Sequence, residues 1–294
     1  MRQNLFNLSL VLAILVFITA CVCRSDRDNN SNVDSAPSQA NTSGTEPKKE
    51  KSPSQKNKKK DEGDFTVEHV EIKNPRYAEI DRQVKGEKLL EKAADRLNRA
   101  LILPNDIVLR TQDCDGEVNA FYSPDNESVT VCYELMEHFF KVFRAGGNNE
   151  DAAYQKMFDA VRFVFLHEIG HALIDQYKLP VTGNEEDAAD RCSSYINLEE
   201  LGPEGVKAVV AAADAFAIES KLGGSREKNM ADEHLLQEQR FYNSLCMMYG
   251  SNPDKFSNLV TDNYLPKERA VRCPSEYQRT VDSWVNLLAP WRKN

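Results

Sequence analysis

The five residues His167-Glu168-Ile169-Gly170-His171 constrain this chain more than any other feature of its sequence. They follow the apolar stretch from Val161 to Leu166 and precede Pro180, so the region from Asp151 to Tyr177 reads as one buried helix that the proline ends. Residues four apart share a helical face, so both imidazoles point at one spot, a turn apart. Two neutral nitrogens there can bind a divalent ion, and zinc suits them. Glu168 sits beside that spot without having to bind the ion, placed to take a proton from an activated water and pass it to a leaving group. The competing reading is a helix whose histidines merely make core or surface hydrogen bonds.

A catalytic zinc needs a third protein ligand and one open position. The candidate lies in Asn184-Glu185-Glu186-Asp187-Ala188-Ala189-Asp190, where Glu186 and Asp190 are again four apart. Glu185 is the fallback ligand. Taken alone, the acidic run is also a helix start that favours the dipole. HExxH followed by ExxxD resembles the signature of gluzincins, which include thermolysin-like and CAAX-prenyl-protease-like enzymes. That resemblance implies that Glu186 binds the metal and that Asp190 hydrogen-bonds a ligating histidine, raising its basicity. Alanines at 188 and 189 allow the two helices to pack closely. Gluzincins also place a His or Tyr on a later helix to stabilise the oxyanion, which makes His234 a candidate and Tyr242 a weaker one. A satisfied surface or core histidine explains His234 equally well. Arg240 is expected to pair with an acidic neighbour, and His69 and His138 to be structural.

Residues from about 65 to 290 further resemble a bacterial family of "putative metallopeptidases". The stretches that carry this are Asn119-Ala120-Phe121-Tyr122, Cys132-Tyr133-Glu134-Leu135, the His167–His171 motif, Gln239-Arg240-Phe241-Tyr242-Asn243, and Arg269-Ala270 before Cys273. The resemblance implies a zincin-like fold and a hydrolytic site, and names no substrate.

Around the motif, the periodicity predicts an α+β chain: a small β-sheet part, then a mostly helical body that carries the HExxH helix. Strands are expected over 65–72, 106–110, 118–122 and 128–132. Helices are expected over 85–103, 133–143, 151–177, 185–198, 203–222, 232–249 and 276–288. Either the strand at 128–132 or that at 119–122 is a candidate edge for pairing with a substrate backbone.

The first twenty residues read as a signal peptide, with Arg2 before an apolar run too short to span a membrane. Ile18-Thr19-Ala20-Cys21 resembles the bacterial lipobox, which implies a lipoprotein with Cys21 lipidated; the alternative is an ordinary signal peptide cut near Ala20. Residues 21–63 are polar and lysine-rich, a stretch that cannot bury enough surface to offset its ordering entropy and should act as a disordered tether. The folded domain then covers 64–294. The protein is thus expected to leave the cytoplasm for the cell envelope, anchored to a membrane by its N-terminal lipid. Export permits disulfides. Of the five remaining cysteines, Cys114 with Cys132 and Cys246 with Cys273 each close a short loop between predicted elements, leaving Cys192 as a buried free thiol. Spacing alone does not fix that connectivity.

A formal net charge of -9 argues against nucleic acid as a main partner. The expected activity is therefore that of a Zn2+-dependent peptidase acting on a peptide or protein, with Glu168 as general base. The rivals are a non-catalytic binding lipoprotein on the same scaffold and a zinc hydrolase of a non-peptide amide or ester.

Overall fold

The computed structural model of the chain describes residues 59–222 and 233–293. The signal segment 1–20, Cys21, the tether as far as residue 58, and Asp232 lie outside the described residues. Of the chain's two contact-defined units, the one treated below is Gln55–Asn294.

Four short strands form where β-branched and aromatic residues cluster: β1 (Phe65–His69), β2 (Ile107–Gln112), β3 (Ala120–Ser123) and β4 (Ser128–Cys132). Their order is β1-β2-β4-β3. β1 and β4 both pair parallel to β2, and β3 pairs antiparallel to β4. A parallel pair needs a crossover, and α1 (Ala78–Gly86) with α2 (Leu89–Ala100) supplies it between β1 and β2. Here the single helix expected over 85–103 is corrected. Lys88 takes a left-handed φ of 52°, which breaks the helix into two. β1 also stops at His69, short of Ile72, because the Lys73 and Asn74 amides donate to the Asp113 carboxylate and leave the ladder. β4 is paired on both sides, so of the two candidate edge strands only β3 presents an edge.

After β4 the period changes and stays helical. α3 (Tyr133–Ala145) leads to α4 (Glu150–Tyr177), α5 (Glu185–Tyr195), a π-helical turn at Ile196–Glu200, and α6 (Gly202–Leu222). Then come α7 (Gln237–Ser251), the single turns α8 (Asn258–Thr261) and α9 (Lys267–Ala270), and α10 (Cys273–Leu288). α4 begins where Asn149 Oδ1 accepts the Ala152 amide at 2.8 Å and ends at left-handed Lys178, two residues before Pro180. It runs between two cores. Ile169 and Leu173 join the sheet's core with Leu109 and Val129, whereas Phe163 joins Phe216 and Met247 in the second. A helix between two cores carries apolar residues on more than one face, as α4 does with Ile169 on one side and Phe163 on the other. The fold is α+β, a small sheet with a mostly helical body.

α7 starts at Gln237 and not near 232, because Gln239 Oε1 accepts the Leu236 amide and caps the helix there. His234 therefore lies on a loop. Among the described residues there are two disulfides: Cys114–Cys132 ties the loop before β3 to the end of β4, and Cys246–Cys273 ties α7 to α10. Cys192 is free and buried. Among the described residues no helix is long and apolar enough to cross a membrane.

Candidate metal centre

The site exists because two helices approach closely at one glycine. A Cβ on Gly170 would lie 3.1 Å from Ala189 Cα and 3.1 Å from Cys192 Cβ, so the absent side chain is what lets α5 lie against α4. Asn184 Oδ1 caps α5 by accepting the Asp187 amide at 3.2 Å, which sets where its first turn falls. Glu186 and Asp190 then face His167 and His171.

Three donor atoms converge. Glu186 Oε2 is 3.0 Å from His167 Nε2 and 3.3 Å from His171 Nε2, and the two Nε2 atoms are 3.1 Å apart. Ligand atoms at zinc's tetrahedral bond length of about 2.0–2.1 Å stand roughly 3.3 Å from one another, so the trio fits such an ion. The remaining ring nitrogens agree. His167 Nδ1 meets Asp190 Oδ1 at 2.9 Å and His171 Nδ1 meets Glu185 Oε1 at 2.8 Å. Carboxylates accept, so each Nδ1 carries the proton and each Nε2 turns a lone pair toward the shared point. Glu185, the fallback ligand, is thus behind His171 and is not one of the converging atoms. The other cluster of candidate ligands, Cys114, Cys132 and Glu134, has its sulfurs locked in a disulfide and offers no thiolate.

Each converging group has a partner behind it, and the third is His234. Its Nε2 lies 2.9 Å from Glu186 Oε2, and its ring stacks on His167 with centroids 5.7 Å apart. Asn184 Nδ2 donates to the Glu233 carbonyl at 2.7 Å and so ties this loop to the start of α5. Asp190 is in turn gripped by Arg240, through Nε at 2.9 Å and Nη2 at 2.8 Å. The acidic neighbour of Arg240 is thus fifty positions away in sequence.

The electrostatics follow from this crowding. Burial disfavours a charged His167, yet the Asp190 and Glu186 carboxylates beside its two ring nitrogens outweigh it and hold the imidazole up at about 9. Burial would likewise raise Glu186, but His167, His171 and His234 drive it far below the usual carboxylate range. Asp190 is held low despite burial by Arg240 and His167. The carboxylates of Glu185, Glu186 and Asp190 thus surround the two imidazoles and favour positive charge between them.

Glu168 is buried against β3, where its Oε2 accepts the Tyr122 amide at 3.0 Å. Burial raises its pKa, with the nearby Glu186 charge acting in the same direction. Glu168, His167, His171, Glu186, His234 and Arg240 all line one cleft. Tyr242 is exposed on α7 and does not line it. His69 pairs with Glu91 at 3.1 Å, far from these ligands in the sheet, and His138 pairs with Glu219 at 2.8 Å on the cleft wall. Sequence reasoning missed the part played by Tyr122 and, although it expected an acidic partner for Arg240, did not identify Asp190 as that partner. Tyr122 acts through a backbone amide that any residue supplies, and the aim of Arg240 depends on how α7 crosses α5.

A protein-family model described as "Putative metallopeptidase" matches residues 69–288, most of the chain. No curated protein and no solved structure gives a match.

Proposed function

We propose, on the premise that the chain belongs to the family described as "Putative metallopeptidase", that it is a zinc-dependent peptidase built on a zincin-like fold. Membership implies a metal. The convergence of His167 Nε2, His171 Nε2 and Glu186 Oε2 supports this trio as its ligands, and the nitrogen-rich donor set favours zinc. Held there, Zn2+ supplies a Lewis acid that polarises a carbonyl and acidifies a water.

The chain's own groups do the rest. Asp190 and Glu185 fix the tautomers of His167 and His171 from behind. The Tyr122 amide pins one oxygen of Glu168, which leaves Oε1 to take the proton of the attacking water and deliver it to the departing amine nitrogen. A carboxyl raised by burial suits a group that must both accept and return a proton. His234, at the half-open side of the cleft, is the donor we assign to the developing oxyanion, through the Nε2 now resting on Glu186. The outer edge of β3, apart from the Tyr122 amide that Glu168 holds, is the edge we assign to an extended peptide. The lipobox-like Ile18–Cys21 and two disulfides in the domain support a lipid-anchored protein of the cell envelope, outside the reducing cytoplasm.

The observation that carries this reading is the trio with Glu168 beside it. Metal analysis and peptide turnover on the domain from residue 64 onward test it. Wild type should hold one zinc per chain, and His171→Ala and Glu186→Ala should lose most of it. Glu168→Gln should keep the zinc and lose turnover. A folded wild type that takes up no zinc, or a Glu168→Gln form as active as wild type, defeats the assignment.

A further inference from the structure

β3 is four residues long and pairs on one side only, with β4. Its register sets Phe121 opposite Thr130 and Tyr122 opposite Val129. In an antiparallel pair alternate residues turn their backbone groups away from the neighbour. The Tyr122 amide does so and reaches Glu168 instead. The orientation of Glu168 is therefore only as well fixed as the place of a short edge strand. Any residue at 122 would supply that amide, so the amide does not explain a tyrosine there.

The tyrosine side chain makes a second attachment to the same helix. Its hydroxyl donates to Asp175 Oδ2 at 2.8 Å, and Gln176 Nε2 donates to the hydroxyl at 3.2 Å. Tyr122 thus holds α4 at Glu168 through its backbone and at Asp175 through its ring, points about 10 Å apart along the helix axis. Both partners of the hydroxyl are themselves fixed. Lys178 Nζ donates to Asp175 Oδ1 at 2.9 Å. Gln176 also donates to Glu127 Oε1 at 3.2 Å, in the turn between β3 and β4, and accepts from Asn105 Nδ2 at 3.1 Å, just ahead of β2. Burial pushes the phenol up to about 12, so the hydroxyl keeps its proton to donate throughout the neutral range. Two attachments this far apart resist both sliding and pivoting of β3 on α4, whereas a single hydrogen bond leaves the pivot free.

We propose that the Tyr122 hydroxyl and Asp175 are positioning groups for Glu168: their hydrogen bond sets β3 against α4 so that the Tyr122 amide meets the base. The consequence for turnover rests on the peptidase reading, whereas the coupling of hydroxyl to amide does not. With this clamp released, Glu168 loses the bond that holds Oε2, and Oε1 no longer faces the attacking water in one fixed orientation. Misplacing a reacting group by about 1 Å costs on the order of 100-fold in rate. Metal binding is spared, because His167, His171 and Glu186 belong to α4 and α5, and Asp190 and Glu185 orient the imidazoles without β3.

The test compares zinc-loaded wild type with Tyr122→Phe, Asp175→Ala and Asp175→Asn. It reads hydrogen exchange of the residue-122 amide by NMR, together with kcat, KM and zinc content. Phenylalanine keeps the ring and the amide and removes only the hydroxyl. In Tyr122→Phe and Asp175→Ala the amide should exchange about 10-fold faster or more. For the same two variants kcat should fall about 10- to 100-fold, with KM and zinc content little changed. Asparagine restores an acceptor without the charge, so Asp175→Asn should recover part of both losses. Exchange in that order, without turnover by wild type, supports the clamp while the peptidase reading fails. A wild-type exchange rate in both Tyr122→Phe and Asp175→Ala, or an unchanged kcat in a protein that does cleave peptides, overturns the clamp. Zinc lost in step with kcat overturns it too, since the pair would then support the whole centre and not Glu168. Asp175 is partly exposed, so its two variants decide the matter even where Tyr122→Phe does not fold.

Discussion

Arg240 grips Asp190 with two nitrogens, Nε at 2.9 Å from Oδ2 and Nη2 at 2.8 Å from Oδ1, while Oδ1 also meets His167 Nδ1 at 2.9 Å. One carboxylate oxygen thus joins a buried guanidinium to the imidazole of a candidate metal ligand. A two-pronged contact fixes the carboxylate's plane as well as its position. Asp190→Asn keeps an acceptor but loses the charge, and zinc affinity, read by chelator competition, should fall about 10- to 100-fold. Arg240→Met leaves Asp190 buried without its counter-charge and should cost about 3–5 kcal/mol in urea unfolding. Arg240→Lys restores the charge without the fork and should fall between wild type and Arg240→Met.

Gly170 sets the spacing of α4 and α5. Gly170→Ala needs its neighbours to give by a few tenths of an ångström, and gains about 1 kcal/mol of helix propensity, so zinc binding should barely change. Gly170→Leu drives a full side chain into Ala189 and Cys192. It should cost on the order of 1–3 kcal/mol or more, and should weaken zinc by at least roughly tenfold as Glu186 and Asp190 are carried away from the histidines. Isothermal titration of both variants with zinc distinguishes these outcomes.

Glu134 makes acid stability measurable away from the metal. Burial pushes its carboxyl up, but the Cys114 and Gly116 amides, donating at 3.0 and 3.1 Å, outweigh that and hold it below the ordinary 4.5. A lowered folded-state pKa contributes stability that is present above the unfolded value of 4.5 and is lost as pH falls through the folded value. Glu134→Gln should therefore be less stable than wild type at neutral pH. The gap should narrow as pH is lowered below about 4. Urea midpoints of both proteins across that range give the answer, and a gap constant with pH would contradict it.

The Cys114–Cys132 bond encloses the loop that leads into β3, the strand whose Tyr122 amide holds Glu168. Replacing both cysteines by serine should cost about 3 kcal/mol for a loop of this length. Because β3 carries no metal ligand, turnover should fall more than zinc content does. Equal losses of both would show that the loop supports the whole centre and not Glu168 in particular.

Much of the site was legible in sequence, for a local reason. Helical spacing alone places His167 beside His171 and Glu186 beside Asp190, since four residues make one turn whatever surrounds them. Other expectations failed where non-local or single-residue conformations prevailed. The helix predicted from Lys85 breaks at left-handed Lys88, and His234, expected on a helix, sits on a loop because the Leu236 amide finds its acceptor on Gln239.

By itself the sequence determined the periods: short strands with a helical stretch between them before Cys132, helices after it, and two imidazoles on one face of α4. Those properties depend on residues near one another in the chain. The tertiary structure alone decided that Glu186 Oε2 meets both Nε2 atoms, that Asp190 finds Arg240 fifty residues away, and that Glu168 rests on a backbone amide of β3. Each depends on the approach of two elements in space. That approach is set by packing, here with room at Gly170 for no more than a small side chain, and helical periodicity carries no information about it.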